Sequence, residues 1–198
     1  MRYTASSFWK FIGAAGALAA LAAWPGAGQA QGISGQASAV TAVILGNVTS
    51  LADTGTLSSA SAPLGTGLGT GSIPGLFAGE ALHAATMGWS DQVASEASVG
   101  NLAISVAGTG ISALQVMSRA LAVSGAGGTG GSSIDRLTIG GVPVAATGAP
   151  NQQLSLPGLT VILNEQIQSA SGIVVNALRI RTLDGLTDIA IGSAKAGI

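Results

Sequence analysis

The chain contains no cysteine, one histidine, few aromatic residues and few charges. Without cysteine there is no disulfide framework and no thiolate nucleophile, and one histidine cannot supply the several ligands that a zinc site needs. Charged residues make up 8% of the chain, where about 25% is typical. They form no basic run, so nucleic acid is not an expected partner. Beyond residue 31 the aromatic residues are Phe77 and Trp89 alone. That leaves little from which to build an aromatic-lined sugar groove. A chain of this length buries a core without disulfides, and a cysteine-free exported protein suggests a bacterial source.

Export is suggested by the first 30 residues. Arg2 and Lys10 give a basic start, Phe11 to Ala23 form an apolar run, Trp24-Pro25 break it, and Gly28-Gln29-Ala30 resembles a small-residue cleavage site. The run is shorter than the roughly 20 residues that span a bilayer, and no Cys follows it to carry a lipid. Residues 31–198 are therefore expected to be one β-rich exported domain with no transmembrane segment. Removal of Arg2 and Lys10 leaves five bases against eight acids.

Gly, Ala, Ser and Thr are abundant, yet Val, Ile and Leu recur regularly, which indicates tight packing rather than disorder. In "NLAISVA", Leu102, Ile104 and Val106 share one face; in "LTVIL", Leu159, Val161 and Leu163 do the same. Two hairpins can be set in register. Gly140-Gly141 is a two-residue loop that pairs Ile139 with Val142 and Thr138 with Pro143, on an edge strand because Pro lacks an amide. Asp184-Gly185 is the second loop, with Leu183 facing Leu186, Ile180 facing Ile189, Leu178 facing Ile191, and Arg181 meeting Asp188 on the other face. Residues 110–124 show both helical and alternating spacing, and strand is favoured. "GLFAGEALHAA" at 75–85 weakly repeats as "GISALQVMSRA" at 110–120. The Gly-rich stretches 63–72 and 125–133 read as flexible loops.

No motif assembles chemistry. Gly125 to Gly130 fits G-x-G-x-x-G, but strand-like residues follow where a dinucleotide site needs a helix. His83 has no nucleophile elbow to serve. Asp184 and Asp188 are accounted for by the turn and by Arg181, and no acidic cluster resembles a calcium loop. Alternating strands also fit an outer-membrane barrel, but the aromatic girdles of that class are missing. No catalytic, cofactor-binding or metal-binding residue is assigned, and no cofactor is expected. Asn164, Glu165 and Asn176 stand out as polar residues among apolar neighbours, either as a ligand contact or as hydrogen-bond partners of turns and strand ends.

The run "SSIDRLTIGGVPV … LPGLTVILNEQIQSASGIVVNALRI … DIAIGSAKAGI" resembles the choice-of-anchor P family of exported bacterial proteins. The shared order is a Gly turn with "PV", "LPG" leading into "LNEQ", then "VNAL" and a closing I-x-I-G-S-A-x-A-G. It is specific over Ser132 to Ile198 and looser over Gly75 to Ser118. The resemblance implies an exported domain that carries differing C-terminal anchors in different members, and no known enzyme activity. This chain shows no anchor segment, so free secretion or non-covalent surface attachment is expected. The overall expectation is an all-β, antiparallel sandwich-like domain after a signal peptide. It would act as a secreted or cell-envelope structural or interaction protein, with a cell-surface or matrix component, or itself, as partner. The alternatives are a self-assembling fibre subunit and a small carbohydrate-active enzyme using Glu80, Glu96 or Glu165.

Overall fold

The computed structural model describes residues 32–60 and 62–198; the leader expected over residues 1–30 lies outside them. The described residues form thirteen strands: β1 (Ser34–Ile44), β2 (Asn47–Asp53), β3 (Leu64–Ile73), β4 (Phe77–Gly88), β5 (Gln92–Val106), β6 (Thr109–Val123), β7 (Gly127–Asp135), β8 (Thr138–Ile139), β9 (Val142–Pro143), β10 (Gln152–Leu156), β11 (Leu159–Ser169), β12 (Gly172–Thr182) and β13 (Thr187–Gly197). Among them no helix is long and apolar enough to cross a membrane. Two antiparallel sheets face each other as a sandwich. Sheet A runs β10-β11-β12-β13-β1-β2; sheet B runs β3-β4-β5-β6-β8-β9, with β7 also paired to β6. β13 lies across β5 and β6, β12 across β6 and β7, and β1 across β4 and β5.

Alternation alone would put every second residue of these strands in the core. Each long strand departs from it once. In β5, Val93, Ala97 and Val99 are buried and then Leu102, Ile104 and Val106, so the phase inverts at Gly100-Asn101. In β6, Ile111 and Ala113 are followed by Val116, Ser118, Ala120 and Ala122. In β12, Ile173 and Val175 are followed by Leu178 and Ile180. An extra residue in one strand normally shifts register. Here neighbouring strands carry their extra residues at the same level, so the pairing of β12 with β13 has the same register from Gly172↔Gly197 to Arg181↔Asp188.

In sheet A the extra residues form a row, Asn164–Ala177–Gly192–Ala39–Ala52, at which each ladder skips one pair. Alternate members adopt left-handed backbone: Asn164 (φ 51°), Gly192 (φ 58°) and Ala52 (φ 48°). This row faces sheet B. A Cβ on Gly192 would lie 3.3 Å from that of Ala177 and 3.5 Å from the Ala97 carbonyl oxygen of sheet B. In sheet B the extra residues, Ala81 (φ 47°) and Asn101 (φ 46°) among them, face solvent. Sheet A is thus lengthened on its inner side and sheet B on its outer side. The two bend in the same sense and stay packed across the crease.

The crease divides two kinds of core. One half is filled by large side chains, including Phe77, Leu102, Ile104, Leu163, Leu178 and Ile191. The other is built mainly on Ala120, Ala122, Ala194, Ala196, Val93 and Val175, and there the sheets approach closely. A Cβ on Gly128 would lie 2.6 Å from the Gly172 carbonyl carbon. Small residues at these positions let the two sheets approach, which accounts for much of the Ala and Gly, while Ile173 and Ile198 fill the rest of this half.

Several expectations change. The Gly-rich stretches 63–72 and 125–133 are not loops; they form most of β3 and β7, because neighbouring strands supply backbone partners and, in β7, the close sheet contact requires residues without Cβ. Residues 109–123 are strand, and the inversion of phase is what made the stretch look helical. The weak repeat at an offset of 35 does not mark equivalent positions: Leu82 is buried, whereas Met117 lies on the outer face. The Gly140-Gly141 loop is as expected, both residues having positive φ, and Pro143 lies on an edge strand. The last hairpin keeps its expected register, but its loop is four residues, 183–186. Asp184 accepts the Thr182 hydroxyl at 2.6 Å and the Leu186 amide at 2.9 Å, and Thr182 Oγ1 accepts the Thr187 amide at 3.0 Å. These side-chain bonds replace the last ladder pairs, so Leu183 and Leu186 project into solvent instead of facing each other.

Candidate functional site

Among the described residues, two of the hollows on the outer faces of the sandwich are crossed by ion pairs. The first follows the crease of sheet A. Beside the inward row runs an outward polar row, Glu165–Asn176–Ser193–Ser38–Asp53, each member opposite the next across the strands. Because the crease is concave outward, side chains on its two flanks converge. Arg179, from the far flank, reaches Glu165 at 3.3 Å and clasps Asp188 with Nε and Nη2 at 2.5 and 2.6 Å. Arg181 reaches Glu165 and Asp188, both at 3.4 Å. The Asn176 amide donates to Glu165 Oε2 at 2.6 Å.

Of the residues singled out by sequence, Glu165, Asn176, Arg181 and Asp188 come together here. Asn164 does not join them: its amide donates to the Gly148 carbonyl at 2.8 Å and its side-chain oxygen accepts Gln166 Nε2 at 3.2 Å. It fixes the 145–151 connection, and its positive φ explains an Asn at this point of the strand. Sequence reasoning missed Arg179. The signal was available, since Arg179 and Arg181 alternate across Ile180 and share a face with Asp188.

The electrostatics of this cluster are those of a closed network. Partial burial works against the charge of Asp188, but bonds and attraction from Arg179, and then Arg181, outweigh it and hold the carboxyl below the ordinary aspartate value. The bond with Asp188 raises the Arg179 pKa against the opposing effect of burial. Glu165 is 6% exposed and shared by Asn176, Arg179 and Arg181. The donors and acceptors are engaged with one another, so the network ties the strands together across the crease. The hollow above it has a volume of about 260 Å³ and also admits Lys195, Thr41 and Ile167.

The second hollow lies on the outer face of sheet B, over β4 to β7, and has a volume of about 690 Å³. Paired residues form its rows: Met87–Ala94–Leu121–Thr129, then Ala85–Glu96–Arg119–Gly131. Small residues at 85, 94 and 131 make the floor. Met87, Trp89, Met117 and Leu121 rise around it. Glu96 and Arg119 cross the middle as a half-exposed pair at 3.6 Å.

The remaining candidates are dispersed. His83 is exposed on β4 between Gly67 and Ser98. Glu80 and Glu96 belong to sheet B, where Glu80 accepts the Asn101 amide at 2.7 Å, whereas Glu165 belongs to sheet A. Among the described residues no group of three His, Cys, Asp or Glu side chains could hold a metal ion. Comparison of the chain with known protein families, with curated proteins and with solved structures finds no match.

Proposed function

We propose that the chain is an exported bacterial surface or secreted protein that works by contact, of the kind implied by its resemblance to the choice-of-anchor P family. The observation that carries this reading is the hollow on sheet B. Trp89 and both methionines beyond Met1 gather with Leu121 on one solvent-facing concavity instead of in the core. Its volume falls within the roughly 300–1,000 Å³ of small-molecule sites. Flexible thioethers beside a tryptophan make an adaptable apolar contact surface. The Glu96–Arg119 pair adds a polar mark that a partner's hydrogen-bonding groups would recognise. A cell-surface or matrix component is the partner class that fits an exported chain.

The alternative, a carbohydrate-active enzyme, would need two carboxylates about 5–10 Å apart across an open groove. Of its three candidates, Glu165 is tied into the Arg179 network and Glu96 into its pair with Arg119. The test is binding of the purified protein to intact producer cells and to their extracted surface glycans, compared with Trp89→Ala. Loss of binding in the variant, with an unchanged circular dichroism spectrum, is the expected result. Binding that ignores the substitution would remove the hollow from consideration. Glycan hydrolysis abolished by Glu96→Gln or Glu165→Gln would replace the contact reading with the enzymatic one.

A further inference from the structure

We infer that the hollow along the crease of sheet A is a binding site for an acidic sugar, one uronic acid residue presented by a glycan. The site is separate from the hollow on sheet B and goes beyond the contact reading.

The ion pairs of the crease close on themselves, Arg179 and Arg181 against Glu165 and Asp188. Other groups beside them are left over. Asn176 is 2% exposed, and its Nδ2 donates to Glu165 Oε2, leaving Oδ1 on the side away from Glu165. Oδ1 accepts no hydrogen bond among the described residues. Nor is it sealed from solvent, since Ser118 Oγ is the only fully enclosed side-chain polar atom among them without a partner. It therefore opens onto the hollow that Asn176 lines. Gln36 repeats the arrangement on β1: its Nε2 donates to Asp53 at 3.1 and 3.3 Å, and its Oε1 has no partner among the described residues. Ser193, opposite Asn176, likewise has a hydroxyl without a partner among them. Lys195, opposite Gln36 and Val174, forms no ion pair among them, while its backbone carbonyl accepts the Ser95 hydroxyl at 2.7 Å.

These groups define the ligand. A carboxamide oxygen only accepts and an ammonium only donates, so the ligand must bring donors to Asn176 and Gln36 and an acceptor to Lys195. With the arginines and acids of the network in balance, the charge of Lys195 is left uncompensated, which favours an anionic acceptor. The donors are hydroxyls rather than an amino group, because the neighbouring carboxylates are engaged: Glu165 and Asp188 by the arginines, Asp53 by Gln36 and the Gly55 amide. A hydroxylated carboxylate carries both features. Val174 and Ala190 flank the polar row and offer apolar surface to the C–H face of a ring. No aromatic residue lines the hollow, so recognition is by polar contacts and not by stacking. Its volume of about 260 Å³ is just below the roughly 300 Å³ at which small-molecule sites begin. It suits a single ring, with the rest of a glycan outside.

The experiment is an amide chemical-shift titration of the purified protein by NMR with sodium glucuronate. Glucose, which lacks the carboxylate, cyclohexanecarboxylate, which lacks the hydroxyls, and inorganic phosphate serve as comparisons. The expected result is saturable binding of glucuronate that shifts the Asn176 side-chain amide and the Ser193 and Lys195 backbone amides. Each comparison compound should bind at least about tenfold more weakly. Lys195 is exposed, so Lys195→Met is compatible with folding; it should weaken glucuronate binding about tenfold or more, and Trp89→Ala should leave that binding unchanged. No saturable shift in the hollow, or glucuronate binding that ignores Lys195→Met, overturns the inference. Phosphate or cyclohexanecarboxylate bound as tightly as glucuronate would overturn the sugar, and glucose bound as tightly would overturn the acid. Absence of glucuronate binding, with cell binding still lost in Trp89→Ala, would overturn this inference and leave the contact reading in place. Glucuronate binding at the crease, with cell binding indifferent to Trp89→Ala, would do the reverse.

Discussion

At the scale of single residues, two side chains carry measurable consequences of burial. Ser118 is fully buried opposite the crease, and its hydroxyl has no hydrogen-bond partner among the described residues. A buried hydroxyl without a partner is a net cost. Ser118→Ala should therefore raise stability by about 1 kcal/mol, read as a higher urea midpoint at unchanged slope; a lower midpoint would mean that the hydroxyl is bonded. Asp188 acts in the opposite direction. Its folded pKa lies below its unfolded one, so the stabilisation is fully present above the unfolded value of about 3.9 and is lost as pH falls through the folded value. Asp188→Asn should cost roughly 1–2 kcal/mol near neutrality, between the values for exposed and buried pairs. The gap between variant and wild type should close below about pH 4. Thermal melts from neutral to strongly acid pH would show it, and a gap independent of pH would contradict the assignment. The Arg181–Asp188 pair was legible in sequence because a turn and an apolar stripe fixed its register. The involvement of Glu165 was not, because it depends on a bend that brings two flanks of a sheet together.

At the scale of the element, β7 separates what composition says from what packing requires. Its glycines look alike in sequence and suggest a flexible loop, yet they occupy different surroundings. Gly128 meets the Gly172 and Ile173 backbone of sheet A at 2.6–2.7 Å from an added Cβ, whereas Gly131 meets nothing within 4 Å. Gly128→Ala should therefore cost about 3 kcal/mol, at the upper end of overpacking effects, while Gly131→Ala should change stability by less than about 0.5 kcal/mol. Denaturant midpoints of the two variants decide the matter, and equal effects would count against the close approach of the sheets. The same elements show why strand patterns were only half readable. Leu102, Ile104 and Val106, or Leu159, Val161 and Leu163, lie on one side of the crease and alternate cleanly. Residues 111–121 cross it, and a period of two with one inversion resembles a period near 3.6. The extra residues are spread over Ala, Asn and Gly, which have no single sequence signature. Their alignment into a row becomes visible only once strands are paired.

For the whole molecule, the unequal halves raise the question of whether the crease divides the sandwich into two folding units. Fully burying a large aliphatic side chain contributes about 1.5–3 kcal/mol, and a methyl or methylene about 0.8. The half holding Leu178, Ile180 and Ile191 therefore draws far more from burial than the half holding Ala120, Ala122 and Ala194. Taken separately, the narrow half would open first. The connectivity opposes this. β1, β5, β6, β12 and β13 each run unbroken through both halves, and their ladders keep one register on either side of the crease. Opening the narrow half would leave the crease row, with its left-handed residues, at a frayed end without the neighbours that hold it. We therefore expect one cooperative unit, in which the slowest amides of Val175 and Ile180 exchange only through global unfolding. Native-state hydrogen exchange in increasing denaturant measures both. If the Val175 amide opens at a distinctly lower free energy than that of Ile180, the crease is a boundary between two units, and the Ala- and Gly-packed half is the one that loosens first.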